Sequence, residues 1–175
     1  MILSGADIQE ELTRRTLLIE PLGKDTVREN GVDLKLSCEI TRLIENDRLT
    51  LDIQSNNREQ FYSKETDLET FVIHPGEKIL VSTLERVTLP NDLMAFCQLR
   101  STFSRAGVSI PPTVVDAGFS GNLTIQLSGS SFPVKISTKT RFLHLIFAEL
   151  KTPLIKGYDG KYQNDVGVSP PKTDR

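Results

Sequence analysis

Two cysteines and two histidines are the whole supply of thiolate and imidazole zinc ligands in this 175-residue chain. Cys38 and Cys97 stand far apart among apolar neighbours, and neither His74 nor His144 lies close to them in sequence. Zinc needs more such ligands at short spacings, so a zinc-dependent deaminase of the H-x-E…P-C-x-x-C type is excluded by inventory. Buried free thiols are the expectation for both cysteines. Long apolar runs are also missing, and none approaches the roughly 20 residues that cross a bilayer. The opening MILSGADIQEEL turns acidic and lacks a signal-peptide layout. These features predict a cytoplasmic protein with no membrane partner. Nor does one sign of charge dominate: 21 Lys+Arg against 23 Asp+Glu give a net charge of −2. That balance predicts no nucleic-acid partner, and an anionic ligand would need a local basic pocket. The G-x-x-x-x-G-K-[ST], G-x-G-x-x-G and G-x-S-x-G signatures are absent too.

What is present reads as one ordinary globular unit, 38% hydrophobic and 25% charged. Ser4 and Asp7 resemble a capping box, with Ile8 and Leu12 on one face, which predicts a short amphipathic helix over residues 5–15. Strand signals follow. Val32, Leu34 and Leu36 alternate with polar residues, as do Leu123, Ile125 and Leu127, and again Val134 and Ile136. Ile79 to Leu84 is a short apolar run after the turn signal HPGE. Phe142 to Phe147 is nearly continuous, as in a strand buried on both faces. Many short strands with frequent turns predict an all-β sandwich or barrel such as a jelly roll. RSTFSRAG, Arg100 to Gly107, interrupts this pattern as a short inserted helix, started by Ser101 or Thr102 and capped by Gly107. The Pro- and Gly-punctuated tail after Leu150 predicts a mobile arm over 151–175, beside a folded unit over 1–150.

Four segments could carry chemistry. Arg100, Ser101, Thr102 and Arg105 place two guanidinium groups and two hydroxyls within six residues, a set suited to phosphate, although a capped surface helix has the same spacing. VVDAGFSGN offers Asp116 to orient a water or a sugar hydroxyl and Phe119 to stack on a base. An Asx-turn fits that pattern equally. Asp33, in NGVDLKL, is a polar position within a strand and reads as a holder of metal-bound water or as an ordinary hydrogen-bonding acid. GYDGKYQNDVG combines Tyr158, Lys161, Tyr162 and Gln163 with glycines, as a closing flap or as a disordered end. His144, inside RFLHLIF, reads as a core or interface histidine.

The order of these segments is more specific than any one of them. NGVDLKL, RSTFSRAGVSI, VVDAGFSGNLTIQL, TRFLHLIF and GKYQNDVG resemble, in that sequence, the serial motifs of the dCTP deaminase and dUTPase superfamily. The likeness is to the archaeal-type dUTPases within the dCTP deaminase family and spans residues 2 to 168. It implies a distorted jelly-roll-like β-barrel, a homotrimer with sites between subunits, dUTP as substrate and Mg²⁺ as cofactor. It further implies that Arg100, Ser101, Thr102 and Arg105 bind phosphates, and that Asp116 contacts the deoxyribose and places the attacking water. Thr124, Ile125 and Gln126 would read the pyrimidine, Tyr158 and Lys161 would close on the nucleotide with Gln163 nearby, and Asp33 would touch magnesium through water. The family tail usually carries Gln four residues after the Lys, where this chain has Asp165. The deaminases carry a proton-shuttling Glu where this chain has Gln126, and an amide has no titratable proton at neutral pH. The implied activity is therefore hydrolysis of dUTP to dUMP and pyrophosphate. The alternatives are dCTP deamination and a non-catalytic nucleotide-binding regulator.

Overall fold

The computed structural model describes residues 1–53 and 58–172. Helix α1, Gly5–Arg14, starts where the capping box predicts: Asp7 N–H donates to Ser4 Oγ at 3.3 Å, and Ser4 N–H donates to the Asp7 carboxylate at 2.8 Å. Ile8 buries the inner face, and Arg15, left-handed at φ 61°, ends the helix.

The rest is β. Strands β1 (Leu18–Glu20), β2 (Val27–Arg28), β3 (Gly31–Leu43), β4 (Tyr62–Glu65), β6 (Lys78–Thr88), β7 (Leu93–Leu99), β8 (Thr113–Val115), β9 (Ser120–Ser128) and β11 (Arg141–Glu149) form one sheet. Strands β5 (Thr70–Ile73) and β10 (Val134–Ser137) pair separately. The order β1-β6-β3-β11-β7-β8 curls into a half-barrel, with β9 added to β6. β3 is the spine. A register shift between Leu36 and Ile40 lets its first half pair with β11 and its second half with β6 and β4. The all-β expectation and both expected helices are present, and the alternating segments all lie inside strands.

Two local expectations need correction. From Leu143 onward β11 alternates, with His144 and Ile146 half-buried, so it is not buried on both faces. Its outward side stays open beside Phe96, the cross-strand neighbour of Ile146, which is 40% exposed. The inserted helix α2, Ser101–Arg105, begins after an Arg100 cap residue instead of a Ser or Thr cap. The reason is the sheet: Arg100 N–H donates to Phe142 O at 2.8 Å, so the β ladder runs up to Arg100 before the chain turns. Phe103 then anchors the helix in the core.

The described segment after Leu150, residues 151–172, forms no helix or strand, yet it runs back along the free side of β9. Asn164 N–H donates to Ser120 O at 2.7 Å and Asn122 N–H donates to Asp165 O at 2.9 Å. Val168 is buried there.

Candidate active site

Alternation along β9 decides which side chains look outward. Leu123, Ile125 and Leu127 are buried, so Asn122, Thr124 and Gln126 share the opposite face. Beside them β8 delivers Val115 into the core and leaves Asp116 exposed at the start of a turn, which closes where Phe119 N–H donates to Asp116 O at 3.1 Å. Gly118 sits in this turn at φ 81°, and a Cβ on it would come within 2.5 Å of Gly157 Cα. Only glycine lets the returning tail approach this closely. Tyr158 N–H donates to Ala117 O at 2.8 Å, and its ring lies 5.7 Å from that of Phe119.

These elements enclose a cavity of about 410 Å³. Of the expected site residues, Asp116, Phe119, Thr124, Ile125, Gln126 and Tyr158 line it. No described residue hydrogen-bonds the Asp116 carboxylate, so the anticipated Asx-turn does not form and the carboxylate is open to the cavity. Gln126 Nε2 donates to Ser128 Oγ at 3.3 Å. The Thr124 hydroxyl is engaged by the tail, accepting from Ser169 N–H at 3.0 Å. Ile125 and Phe119 are themselves largely buried. Cys97 also lines the cavity, but burial pushes its thiol up to about 12, so it is an inert apolar wall and not a nucleophile.

The basic segment lies elsewhere on the subunit. Arg100 and Ser101 border a second depression with Arg28, Gln98, Asp33 and His144, while Thr102 and Arg105 are exposed on α2. Asp33 is the hub of this region, its side chain only 5% exposed. It faces Arg100 Nε at 3.1 Å, Arg141 Nη1 at 3.5 Å, Arg28 Nε at 4.0 Å and His144 Nδ1 at 2.9 Å. A carboxylate so surrounded by cations does not fit a magnesium site, and no cluster of metal-ligating side chains exists among the described residues. In the subunit Asp33 is thus the acceptor of an ionic cluster and not a direct metal ligand. Gln163 also departs from expectation. It does not line the cavity: its Oε1 accepts from Ser120 N–H at 2.9 Å and its Nε2 donates to Gly118 O at 2.9 Å, which fastens the tail to the turn. Lys161 places its Nζ 5.6 Å from the Tyr162 ring centroid, at the rim.

Sequence reasoning missed Asn122 in the cavity wall and Arg28, Arg141 and His144 around Asp33, and it gave no site role to Tyr162 or Asp165, which also line the cavity. Asn122 was within reach, since it shares the β9 face of Thr124 and Gln126. His144 lies directly opposite Asp33 in the β3–β11 register, a pairing that local pattern does not reveal.

The fold is thus a curled β half-barrel with a partly apolar cavity beside an open aspartate. The model of the dCTP deaminase-like family matches residues 2–150, and the chain belongs to that family. A protein of Sulfolobus islandicus rod-shaped virus 1, named as a probable deoxyuridine 5'-triphosphate nucleotidohydrolase, is 51% identical over 174 residues, or 99% of this chain and 100% of its own length. The dCTP deaminase of Acidianus ambivalens is 50% identical over 98% of each chain. Further relatives that are 44–48% identical bear the same deaminase name. Among solved structures, the 2'-deoxycytidine 5'-triphosphate deaminase of Agrobacterium tumefaciens superposes with a TM-score of 0.67 at 21% identity. That match covers 83% of this chain and 46% of the deaminase, a likeness of fold.

Proposed function

We propose that the protein hydrolyses dUTP to dUMP and pyrophosphate. The observation that carries this reading is Gln126. It stands on the cavity face of β9, where the resemblance gives deaminases a glutamate, and its amide cannot take up and release the proton that deamination needs. Hydrolysis asks less of this position, because an amide can still hydrogen-bond a uracil edge. Asp116 supplies the remaining chemistry. Its open carboxylate accepts a hydrogen bond from a water and aims it at the α-phosphorus. As the new P–O bond forms, the water gives up a proton to the Asp116 carboxylate, the bond from the α-phosphorus to the bridging oxygen breaks, and pyrophosphate leaves with that electron pair.

Magnesium, on this reading, arrives with the triphosphate as part of the substrate and neutralises phosphate charge. The cations missing from the cavity wall come from a second copy of the chain in a homotrimer. In support, Phe96 and Val114 form an exposed apolar cross-strand pair, 40% and 47% exposed, and Val114 lines the cavity. Arg100, Ser101, Thr102 and Arg105 of a neighbouring copy would then meet the phosphates, with Lys161 closing from the tail.

A second reading, dCTP deamination, is favoured by the name of the 50% identical Acidianus relative. A product assay with dUTP, dCTP and dTTP side by side separates the two. Pyrophosphate and dUMP from dUTP, with no ammonia from dCTP, is the expected outcome. Ammonia release from dCTP without dUTP turnover would overturn it.

A further inference from the structure

The cavity wall has the wrong charge for the ligand proposed for it. Asp116 and Asp165 line it, and among the described residues no lysine or arginine does. Two ammonium groups stand at the rim instead, both against Tyr162. Lys161 Nζ lies 5.6 Å from the ring centroid and Lys172 Nζ lies 5.7 Å from it. Lys161 belongs to the site already described. Lys172 has no role in it, although the chain holds it in place by several contacts.

Asp165 is 7% exposed and is fixed by its backbone: its N–H donates to Tyr162 O at 3.2 Å, and its carbonyl accepts from Asn122 N–H at 2.9 Å. The Lys172 ammonium forms an ion pair with its carboxylate. Lys172 N–H donates to the Tyr162 hydroxyl at 3.3 Å, and the preceding Pro171 lines the cavity. The lysine side chain nevertheless remains 41% exposed. A buried carboxylate alone at this position would repel a polyphosphate. Paired with Lys172 it becomes locally neutral. An ammonium also carries three donors, so it can keep Asp165 and give another hydrogen to a phosphate oxygen.

We propose that Lys172 is a second triphosphate-binding cation of the tail, held at the cavity rim by Asp165. This rests on the nucleotide reading above and adds to it a residue and a reason for the acid at 165. The competing role is an ion pair that merely closes the loop from Tyr162 to Lys172. The two differ in how they depend on ligand charge. A phosphate contact distinguishes a triphosphate from a nucleoside, whereas a purely structural pair supports both equally.

The test uses the full chain, as wild type and as Lys172→Met, Lys172→Arg and Asp165→Asn. Steady-state kinetics with dUTP are combined with affinities for a non-hydrolysable dUTP analogue and for deoxyuridine. Lys172→Met is expected to raise KM and weaken the analogue about tenfold or more, while deoxyuridine affinity moves by less than about twofold. Lys172→Arg should keep most of the analogue affinity, and Asp165→Asn should lose part of it. Unchanged analogue affinity in Lys172→Met, or equal loss of analogue and deoxyuridine, would overturn the proposal. A wild type that binds the analogue without hydrolysing dUTP would sink hydrolysis alone, and the Lys172 contrast is still read in the affinities. A wild type that binds neither the analogue nor dCTP would sink both.

Discussion

The two functional faces of this subunit are opposites. The cavity under β8, β9 and the tail has apolar walls with two carboxylates. The depression around α2 and the start of β3 gathers three arginines and a histidine about one buried acid. The first suits a nucleoside and an oriented water, and the second suits negative charge. Neither alone suits a nucleoside triphosphate. On the proposed reading recognition is divided within the subunit, and copies that bring the two faces together complete the site. The division also separates kinds of residue. The Asp116 carboxylate has no hydrogen-bond partner among the described residues and is open to the cavity, whereas the Asp33 carboxylate is engaged by its cationic neighbours.

Mutations should break that contrast in different ways. The largest effect is expected from Asp116→Asn, which keeps the shape of the cavity and removes the carboxylate. The kcat for dUTP should fall by about 100- to 10,000-fold with KM little changed. A change confined to KM would contradict the water-placing role. Asp33→Asn should act on stability instead. Removing the hub charge leaves the surrounding cations facing each other and should cost about 2–3 kcal/mol, read in a denaturant titration. That variant should also distort the phosphate side through Arg100. Full stability in Asp33→Asn would mean that the ion cluster contributes nothing to the fold.

The smallest effect is a pH dependence away from both faces. Burial holds the Glu85 carboxyl above its ordinary 4.5, although the Lys35 N–H donates to it at 2.8 Å. A raised pKa in the folded state means that the folded protein binds the proton more tightly than the unfolded chain. Glu85 therefore contributes stability that is complete below pH 4.5 and is lost as pH rises through the folded value. Glu85→Gln should lack this decline. Identical pH profiles of Tm for the two proteins would remove Glu85 as its cause.

Much of this contrast was legible in the chain. Asp116, Thr124 and Gln126 are readable because a turn signal and a clean alternation place them on one outward face. Strand β7 is nearly silent. Its outward Met94 and Phe96 are as apolar as its inward Leu93, Ala95 and Cys97, so no period appears. The ionic hub is silent for a different reason: Asp33 and His144 meet only through strand pairing across 111 positions. The resemblance puts Gln163 near a nucleotide contact of the tail. The turn around Gly118, which engages both ends of its amide, appears only once the tail is placed.

The central claim is that one copy supplies the cavity and another supplies the basic segment. It can be tested by co-expressing two inactive variants, Asp116→Asn and Arg105→Glu, and assaying the mixed oligomers with dUTP. Sites that pair an intact cavity from one chain with an intact basic segment from the other should restore about a quarter of the wild-type rate at equal mixing. Mixed oligomers as inactive as either parent would contradict the account, because both halves of the site would then come from a single chain.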